Sequence, residues 1–171
     1  MSTIVVLAMH GAPPNDIPRR RMGEFFGLHM QLEHGAVPEE KRSVLESRYG
    51  ALEEMIASWP RTAQNDPFHA ASFELAEELA TATGQEVVVG FNEFCNPNLD
   101  AALAQAAVRE TEKVIVVTPM MTPGGEHAEI DIPAAVDRAR ARHPEVDFQY
   151  AWPFDTAEVA QFLSAHIAQS T

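Results

Sequence analysis

Two histidines stand where the chain leaves an apolar, strand-like run. His10 follows residues 4–9, an apolar run that is too short for a helix and rich in β-branched side chains. His127 follows a similar run at 113–118, after a loop that contains two adjacent glycines. Neutral imidazole is a common metal ligand, and it also exchanges protons near neutral pH. Both histidines are therefore candidate metal ligands or proton carriers.

An acidic residue follows a third run of the same kind. Glu93 comes shortly after residues 86–91, which read as a buried strand. Parallel strands have their carboxyl ends at one edge of the sheet, and ligands bind at that edge. We therefore expect His10, Glu93 and His127 to meet there, although they are far apart in the sequence.

The elements that must position these residues alternate along the chain. Strands are predicted at 4–9, 86–91, 113–118 and 146–151, and helices at 67–83, from Leu99 to about Glu110, and at about 132–142. This order predicts an α/β fold with about four parallel strands and helices on both faces. Asp66 is the expected N-cap of the helix that ends at Gly84. The expected apolar stripes are Phe68, Ala71, Leu75 and Leu79 on that helix, and Val159, Phe162, Leu163 and Ile167 on a final helix.

A helical pair interrupts this alternation directly after the first strand. Its first helix, which ends at Gly35, carries apolar residues at helical spacing, and the second begins at Pro38. The expected buried positions are Met22, Phe25, Phe26, His29 and Met30 on the first helix, and Leu45, Leu52, Met55, Ile56 and Trp59 on the second. We expect one domain, residues 1–171, in which residues 17–62 are an insertion.

The composition excludes several classes of function. The 12 Lys and Arg against 25 Asp and Glu give a formal net charge of −13, which disfavours binding to a nucleic-acid backbone. Cys95 is the single cysteine, and no apolar segment is long enough to be a membrane span or signal peptide. We therefore expect a cytoplasmic protein. No phosphate-binding loop of the Walker type occurs, so ATP is not an expected cofactor.

The motifs resemble those of the class II tetrapyrrole chelatases, in particular the small sirohydrochlorin cobaltochelatases and their nickel- and iron-inserting relatives. The most specific match is Gly124-Gly125-x-His127-x-x-x-Asp131-Ile132-Pro133. Other matching pieces are His10-Gly11, Asn65-Asp66-Pro67, Phe73, Leu75-Ala76, Glu93, Pro97, Leu99, residues 114–117 and Arg142-His143-Pro144.

The resemblance implies insertion of a divalent metal (Co, Ni or Fe) into a sirohydrochlorin-like tetrapyrrole, as in cobalamin or siroheme biosynthesis. It implies that His10 and His127 bind the metal and that Glu93 takes protons from the macrocycle. Because related bilobal chelatases hold two such lobes in one chain, we expect a homodimer here. For Asp131 and Pro133 we favour the simpler interpretation, an N-cap and an early residue of the following helix.

The residues around the histidines are the candidate substrate contacts. Glycine would let the backbone approach a large flat ligand, and methionine adapts to irregular apolar surfaces. Three arginines at the start of the first inserted helix oppose its dipole, so we expect them to bind substrate carboxylates. An equally open alternative is a solvated basic turn that neutralises Asp16 and Glu24. The substrate-contact set is Gly11, Met120, Met121, Gly124, Gly125, Arg19, Arg20 and Arg21.

The chain departs from the family pattern at two places. The small chelatases have almost nothing between the positions of Pro14 and Asn65, and they often have a hydroxyl residue where Ala12 stands here. These differences leave open a non-catalytic carrier of metal or tetrapyrrole on the same fold. A phosphohistidine-type hydrolase is a poor alternative, because it needs an arginine beside the histidine and Met9 stands there.

Overall fold

Four parallel strands form one sheet in the order β2-β1-β3-β4. In the computed structural model, which describes residues 2–108 and 111–170, the strands are β1 (Thr3–Met9), β2 (Glu86–Phe91), β3 (Lys113–Val117) and β4 (Asp147–Tyr150). β1 pairs with both β2 and β3. The strands that precede the two histidines, β1 and β3, are therefore neighbours at the centre of the sheet. The predicted α/β fold with a four-stranded parallel sheet is confirmed.

The predicted helices occur in the expected order. They are α1 (Arg19–His34), α2 (Glu39–Ala57), α3 (Pro67–Thr83), α4 (Leu99–Ala107), α5 (Ile132–Arg142) and α6 (Thr156–Ala168). The predicted end of α4 near Glu110 lies outside the described residues. Within the described ranges, no helix is long and apolar enough to cross a membrane.

Contacts between residues divide the chain into two compact units. The sheet unit contains the described residues of 1–10, 72–92 and 97–171, and the insertion unit contains residues 11–71 and 93–96. The inserted helical pair, α1 and α2, belongs entirely to the insertion unit. The expectation of one domain that spans residues 1–171 stays a prediction.

The core of the sheet unit lies between the sheet and helices α4 and α5. Alternate residues of β1 point into it, and Val6 and Ala8 are fully buried. Gly90 on β2 lets α4 approach closely, because a Cβ atom at this position would lie 2.7 Å from the Cβ of Ala102. This packing fixes the strands whose carboxyl ends carry His10 and the loop before His127.

The insertion unit has a separate apolar core between α1 and α2. Its buried residues are Ile17, Phe25, Leu28, Leu52 and Ile56. The predicted stripe of α2 is confirmed, since Leu45, Met55 and Trp59 pack against this core. The prediction for α1 was wrong at three positions. Phe26, His29 and Met30 are exposed, and Leu28, which the pattern did not select, is buried instead.

A buried ion pair joins the segments of the insertion unit. The Arg61 guanidinium donates to Asp66 at 2.8 Å, and the two side chains are only 6% and 1% exposed. Asp66 also accepts from the backbone N–H of His69, so the predicted N-cap of α3 is confirmed. Arg61 donates further to the backbone carbonyls of Ala12 and Phe94. One guanidinium therefore holds the loop after β1, the loop after β2 and the start of α3.

Helices α3 and α6 do not bury the predicted stripes. In α3 the buried residues are Ser72 and Ala76, whereas Phe68 and Leu75 are about 40% exposed, at 38% and 41%. Small side chains allow close packing, and this outweighed the preference for burying large ones. In α6 no residue is buried, and the predicted stripe residues Phe162, Leu163 and Ile167 are 60%, 51% and 63% exposed.

Candidate functional site

His10 is exposed at the carboxyl end of β1, and the residue after it is a buried glycine with an unusual backbone. Gly11 has φ of +107°, a conformation that side chains disfavour. A Cβ atom here would lie 1.9 Å from the backbone carbonyl oxygen of Glu93. The glycine is therefore required both by its dihedral angle and by the loop that passes beside it.

The loop after β2 is held by hydrogen bonds at each end. Both the backbone N–H and the side-chain amide of Asn92 donate to the carbonyl of Met9, each at 2.9 Å. Phe94 has φ of +58°, which is uncommon for a residue with a side chain, and Arg61 binds its carbonyl. Glu93 lies between them, half-buried, in the insertion unit. Its predicted role beside the histidines stays a prediction.

The glycines in the loop after β3 have free space around them, unlike the glycine after β1. Gly124 has φ of +96°, but nothing lies within 4 Å of an added Cβ atom. Its N–H donates to the Glu129 carboxylate at 2.8 Å, which closes the loop onto the following helix. Met120 packs against the core of the sheet unit, and its carbonyl accepts from the Trp152 indole at 3.2 Å. Met121 is half-buried, whereas Gly124 and Gly125 are exposed.

His127 lies in a wide helical turn that continues directly into α5. This turn, His127–Asp131, is π-helical, and the N–H of Ile132 donates to the carbonyl of His127. Pro133 gives the physical reason, because it has no N–H and its ring crowds the carbonyl four residues earlier in an α-helix. The interpretation of Asp131 as an N-cap was wrong. Asp131 has helical dihedral angles and makes no capping hydrogen bond.

The Asp131 carboxylate binds the imidazole of His127. Nδ1 of His127 and Oδ2 of Asp131 are 2.6 Å apart, with the side chains 24% and 46% exposed. A carboxylate only accepts, so the neutral ring carries its proton on Nδ1 and keeps the lone pair of Nε2 for a metal or a proton. Such a carboxylate partner orients the ring of a metal-binding histidine and fixes its tautomer.

The sheet unit brings His10 and His127 together, as predicted. Their ring centroids are 4.6 Å apart with the planes at 86°, and a ring nitrogen of each lies within 4.8 Å of the other. One metal ion bound at about 2.1 Å by each nitrogen would need only a small movement of the rings. The pair is half-exposed, so a ligand can reach it from solvent.

Tyr150 at the end of β4 and Trp152 after it support the turn that carries His127. The Tyr150 hydroxyl donates to the carbonyl of Ala128 at 3.0 Å, and burial raises the pKa of this phenol to about 12. The Trp152 ring stacks on Tyr150 with the planes at 8°. The phenol therefore remains a neutral donor across the physiological pH range.

The three arginines lie on the exposed first turn of α1, within the insertion unit. No acidic residue and no capping side chain offsets their charge at this helix start. The Arg21 guanidinium lies 3.9 Å from the Glu24 carboxylate, a surface pair that leaves the Arg21 side chain 45% exposed. Binding of substrate by Arg19, Arg20 and Arg21 stays a prediction.

The sequence interpretation gave Asp131 another role and did not select Arg61. Asp131 lies four residues after His127, which is the spacing of neighbours on one helical face. That signal was available, but the helix was predicted to begin at Ile132, five residues too late to include His127. Arg61 gave no signal, because its buried partners are mainly backbone carbonyls from distant segments.

Comparisons with known proteins identify the family of this chain. The CbiX family model matches residues 63–170, which is more than half of the chain. The chain belongs to the CbiX family. This match confirms the resemblance to the small sirohydrochlorin chelatases. Helices α1 and α2 precede the span that the CbiX model matches.

A curated relative is the sirohydrochlorin cobaltochelatase of Priestia megaterium. It is 33% identical over 81 residues, which are 47% of this chain and 26% of that protein, so the alignment covers about a quarter of its length. A CbiX protein from Marinobacter aquaeolei VT8 has a similar fold, with a TM-score of 0.55 at 15% identity over 98% of this chain and 96% of that one. The sirohydrochlorin chelatase SirB from Bacillus subtilis subspecies spizizenii, in complex with cobalt, aligns at 15% identity over 90% of this chain and 44% of its own, with a TM-score of 0.44.

Proposed function

We propose that this chain inserts a divalent metal ion into a sirohydrochlorin-like tetrapyrrole without ATP. The observation that carries the proposal is the edge-on pair of His10 and His127, whose ring centroids are 4.6 Å apart. The Asp131 carboxylate accepts a hydrogen bond from the His127 ring. Membership of the CbiX family supports the same activity. The metal, whether cobalt, nickel or iron, is the substrate of this reaction.

In this proposal His10 and His127 hold the incoming metal through ring nitrogens. The Asp131 carboxylate fixes the orientation of the His127 ring before the metal arrives, which lowers the cost of ordering it. Two imidazoles leave most coordination positions of the ion open. The four ring nitrogens of the macrocycle can therefore displace water and then the histidines, so that the metal is released into the product.

Metal insertion also requires a group that removes the two pyrrole N–H protons. We assign this role to Glu93, a carboxylate in the loop after β2. The positive φ of Phe94 and the bond from Arg61 to its carbonyl fix the backbone beside Glu93. A base on a fixed backbone loses little entropy when it meets the macrocycle.

The flat apolar ring and its carboxylates need different contacts. We propose that the flat ring of the macrocycle is contacted by Gly11, Gly124, Gly125, Met120 and Met121. The exposed cluster Arg19, Arg20 and Arg21 is assigned to its carboxylates, because the net charge of −13 would otherwise repel them.

The activity is tested by mixing the protein with sirohydrochlorin and Co(II) and following the absorbance change of the macrocycle. We expect His10→Ala and His127→Ala each to lower the insertion rate by about a hundredfold, because each removes a metal ligand. His34→Ala, an exposed histidine at the end of α1, is the matched control and should retain the wild-type rate. Equal rates in all four proteins would contradict the proposal.

The same assay separates a chelatase from a carrier. A carrier would bind Co(II) or sirohydrochlorin tightly through the same histidines, but it would give no rate above that of the uncatalysed reaction. The altered position Ala12 and the inserted helices are the features that keep this alternative open.

We also propose that the chain works as a homodimer. The apolar face of α6 supports this, because a helix with exposed Phe162, Leu163 and Ile167 is expected to bind another surface. Sedimentation should give a dimer for the wild type and a monomer for Phe162→Asp. A wild-type monomer with full insertion activity would refute the dimer.

A further inference from the structure

The insertion unit contains a pocket of about 100 Å³ between α1, α2 and the loop after β2. Its walls are aromatic, and Phe25 stacks on Tyr49 with centroids 4.9 Å apart and planes at 20°. The residues that line the pocket are Phe25, Phe26, His29, Tyr49, Glu53, Ile56, Glu93 and Phe94. Half of these side chains are apolar, yet the other half can carry or exchange a proton. Such a mixture is unusual for a pocket that only fills a helical core.

The polar residues of the pocket form a series that begins at Glu93. Tyr49 is half-buried and its hydroxyl lies 3.4 Å from Nδ1 of His29. His29 is exposed on α1, so its ring connects the pocket with solvent. Burial raises the pKa of Tyr49, and the carboxylates of Glu53, Glu33 and Glu93 raise it further. The phenol is therefore neutral and can donate one proton while it accepts another.

The volume of the pocket matches this arrangement. A space of about 10–15 Å³ is enough to hold one water molecule, so a pocket of about 100 Å³ has room for water. A water in such a space needs two or more polar partners, and the Glu93 carboxylate, the Tyr49 hydroxyl and the Glu53 carboxylate line the same walls. A short chain of water can thus join Glu93 to Tyr49.

We propose that Tyr49 and His29 form a proton exit route that returns Glu93 to its ionised state between the two deprotonations of the macrocycle. This inference rests on the proposed metal insertion and assigns a task to the inserted helices. The series Glu93, pocket water, Tyr49 and His29 leads from the base to the surface of the insertion unit.

The proton balance of the reaction gives this route its task. A divalent ion that enters the ring replaces two N–H protons, and one carboxylate can hold only one of them at a time. Glu93 passes the first proton through water to the Tyr49 oxygen, while the Tyr49 hydroxyl proton moves to Nδ1 of His29. His29 then loses its Nε2 proton to solvent, which leaves a proton on Nδ1. Exchange of this Nδ1 proton for one on Nε2 restores the starting tautomer. The cycle runs twice for each metal inserted and leaves Glu93, Tyr49 and His29 unchanged.

The test compares Tyr49→Phe and His29→Gln with the wild type in the insertion assay with sirohydrochlorin and Co(II). Tyr49→Phe removes the hydroxyl and keeps the ring that stacks on Phe25. We expect each variant to lower kcat about tenfold, to leave KM for the tetrapyrrole unchanged and to increase the solvent deuterium isotope effect. Added 2,6-lutidine, a hindered base that binds metals poorly, should restore most of the lost rate. His34→Gln is the matched control on the same helix, outside the pocket, and should behave as the wild type.

A second measurement does not depend on turnover. The ¹⁵N NMR shifts of His29 should indicate a hydrogen bond accepted at Nδ1 in the wild type, and this signature should disappear in Tyr49→Phe. Wild-type kcat in Tyr49→Phe, a loss of rate that lutidine does not restore, or a His29 ring with its proton on Nδ1 would each overturn the exit route alone. A wild type that inserts no metal would overturn the proposed function and the exit route together.

Discussion

The segments after β1 and β3 each deliver a histidine to the same place by different physical means. After β1 the backbone is fixed, because Gly11 is buried with φ of +107° and no room for a Cβ atom. After β3 the glycines are exposed, and the His127 ring is oriented by a carboxylate four residues later in the helix. One histidine is therefore positioned by main-chain geometry and the other by a side-chain hydrogen bond.

This difference determines which substitutions the segments after β1 and β3 each tolerate. In a segment that is fixed by its backbone, the addition of a single methyl group at a buried glycine lowers stability, whereas the same addition at an exposed glycine has little effect. A ring that is oriented by a hydrogen bond is sensitive to the loss of one acceptor, whereas the loop before it has freedom to vary. The following predictions separate the two cases.

Gly11→Ala should have the largest effect on stability. The new Cβ atom would lie 1.9 Å from the Glu93 carbonyl oxygen in a disfavoured backbone conformation, so we expect a loss of about 3 kcal/mol or more in the free energy of unfolding. Urea denaturation measures this loss. Gly124→Ala is the matched change at a positive φ in open space, and it should cost only about 1 kcal/mol. Equal losses at the two positions would remove the distinction between a tight and an open segment.

Asp131→Asn should have a large effect on metal binding and a small one on folding. The amide oxygen can still accept from Nδ1 of His127, but it lacks the negative charge of the carboxylate, so we expect Co(II) affinity to fall about ten- to a hundredfold. Calorimetric titration of Co(II) into the protein measures this change. Asp137→Asn, which alters another exposed carboxylate on α5, should leave the affinity unchanged. Unchanged affinity in Asp131→Asn would show that His127 does not depend on its partner.

A smaller, pH-dependent effect is expected at Asp100 on α4. Hydrogen bonds from Arg138 on α5 lower the pKa of this carboxyl group, and the charges of Arg138 and Arg142 lower it further. A carboxyl with a lowered pKa in the folded state stabilises the fold above its unfolded pKa of about 3.9, and this stabilisation is lost as the pH falls through the folded value. Both side chains are partly exposed, so Asp100→Asn should cost less than about 1 kcal/mol at pH 7.

Urea denaturation at pH 7 and near pH 3 tests this prediction. The difference between Asp100→Asn and the wild type should shrink at the lower pH, because the wild-type carboxyl becomes protonated. A difference of the same size at both pH values would mean that the pair acts by packing rather than by charge. In that case electrostatics would contribute little to holding α5, the helix that follows His127.

Much of the sheet unit follows from the sequence, because buried parallel strands leave a simple pattern. The runs around Val6, Val88 and Val116 are apolar and β-branched, and each became a strand. The position of His10 follows from the same pattern. Helix ends were predicted where a local signal exists, as at Asp66 and Gly84.

The errors arose where tertiary packing outweighed a local pattern. The stripe of α3 was chosen by side-chain size, but the helix buries Ser72 and Ala76 instead of Phe68 and Leu75. The start of the helix at His127 was missed because Pro133 is usually a sign of a first turn. The network around Arg61 has no sequence pattern, since backbone carbonyls are available at every residue.

The wide turn at His127 has a consequence for how the site can change in evolution. A π-helical turn accommodates one residue more than an α-helical turn, so an insertion or deletion can be absorbed there without moving the buried face of α5, formed by Ile132, Ala135, Val136 and Ala139. One residue corresponds to a rotation of about 100° around the helix axis. A deletion in a regular α-helix would therefore swing His127 to another side of the helix. Within the wide turn the same deletion would leave an α-helical turn, in which the N–H of Ile132 can still donate to the carbonyl of His127, while the core beneath it remained as it is.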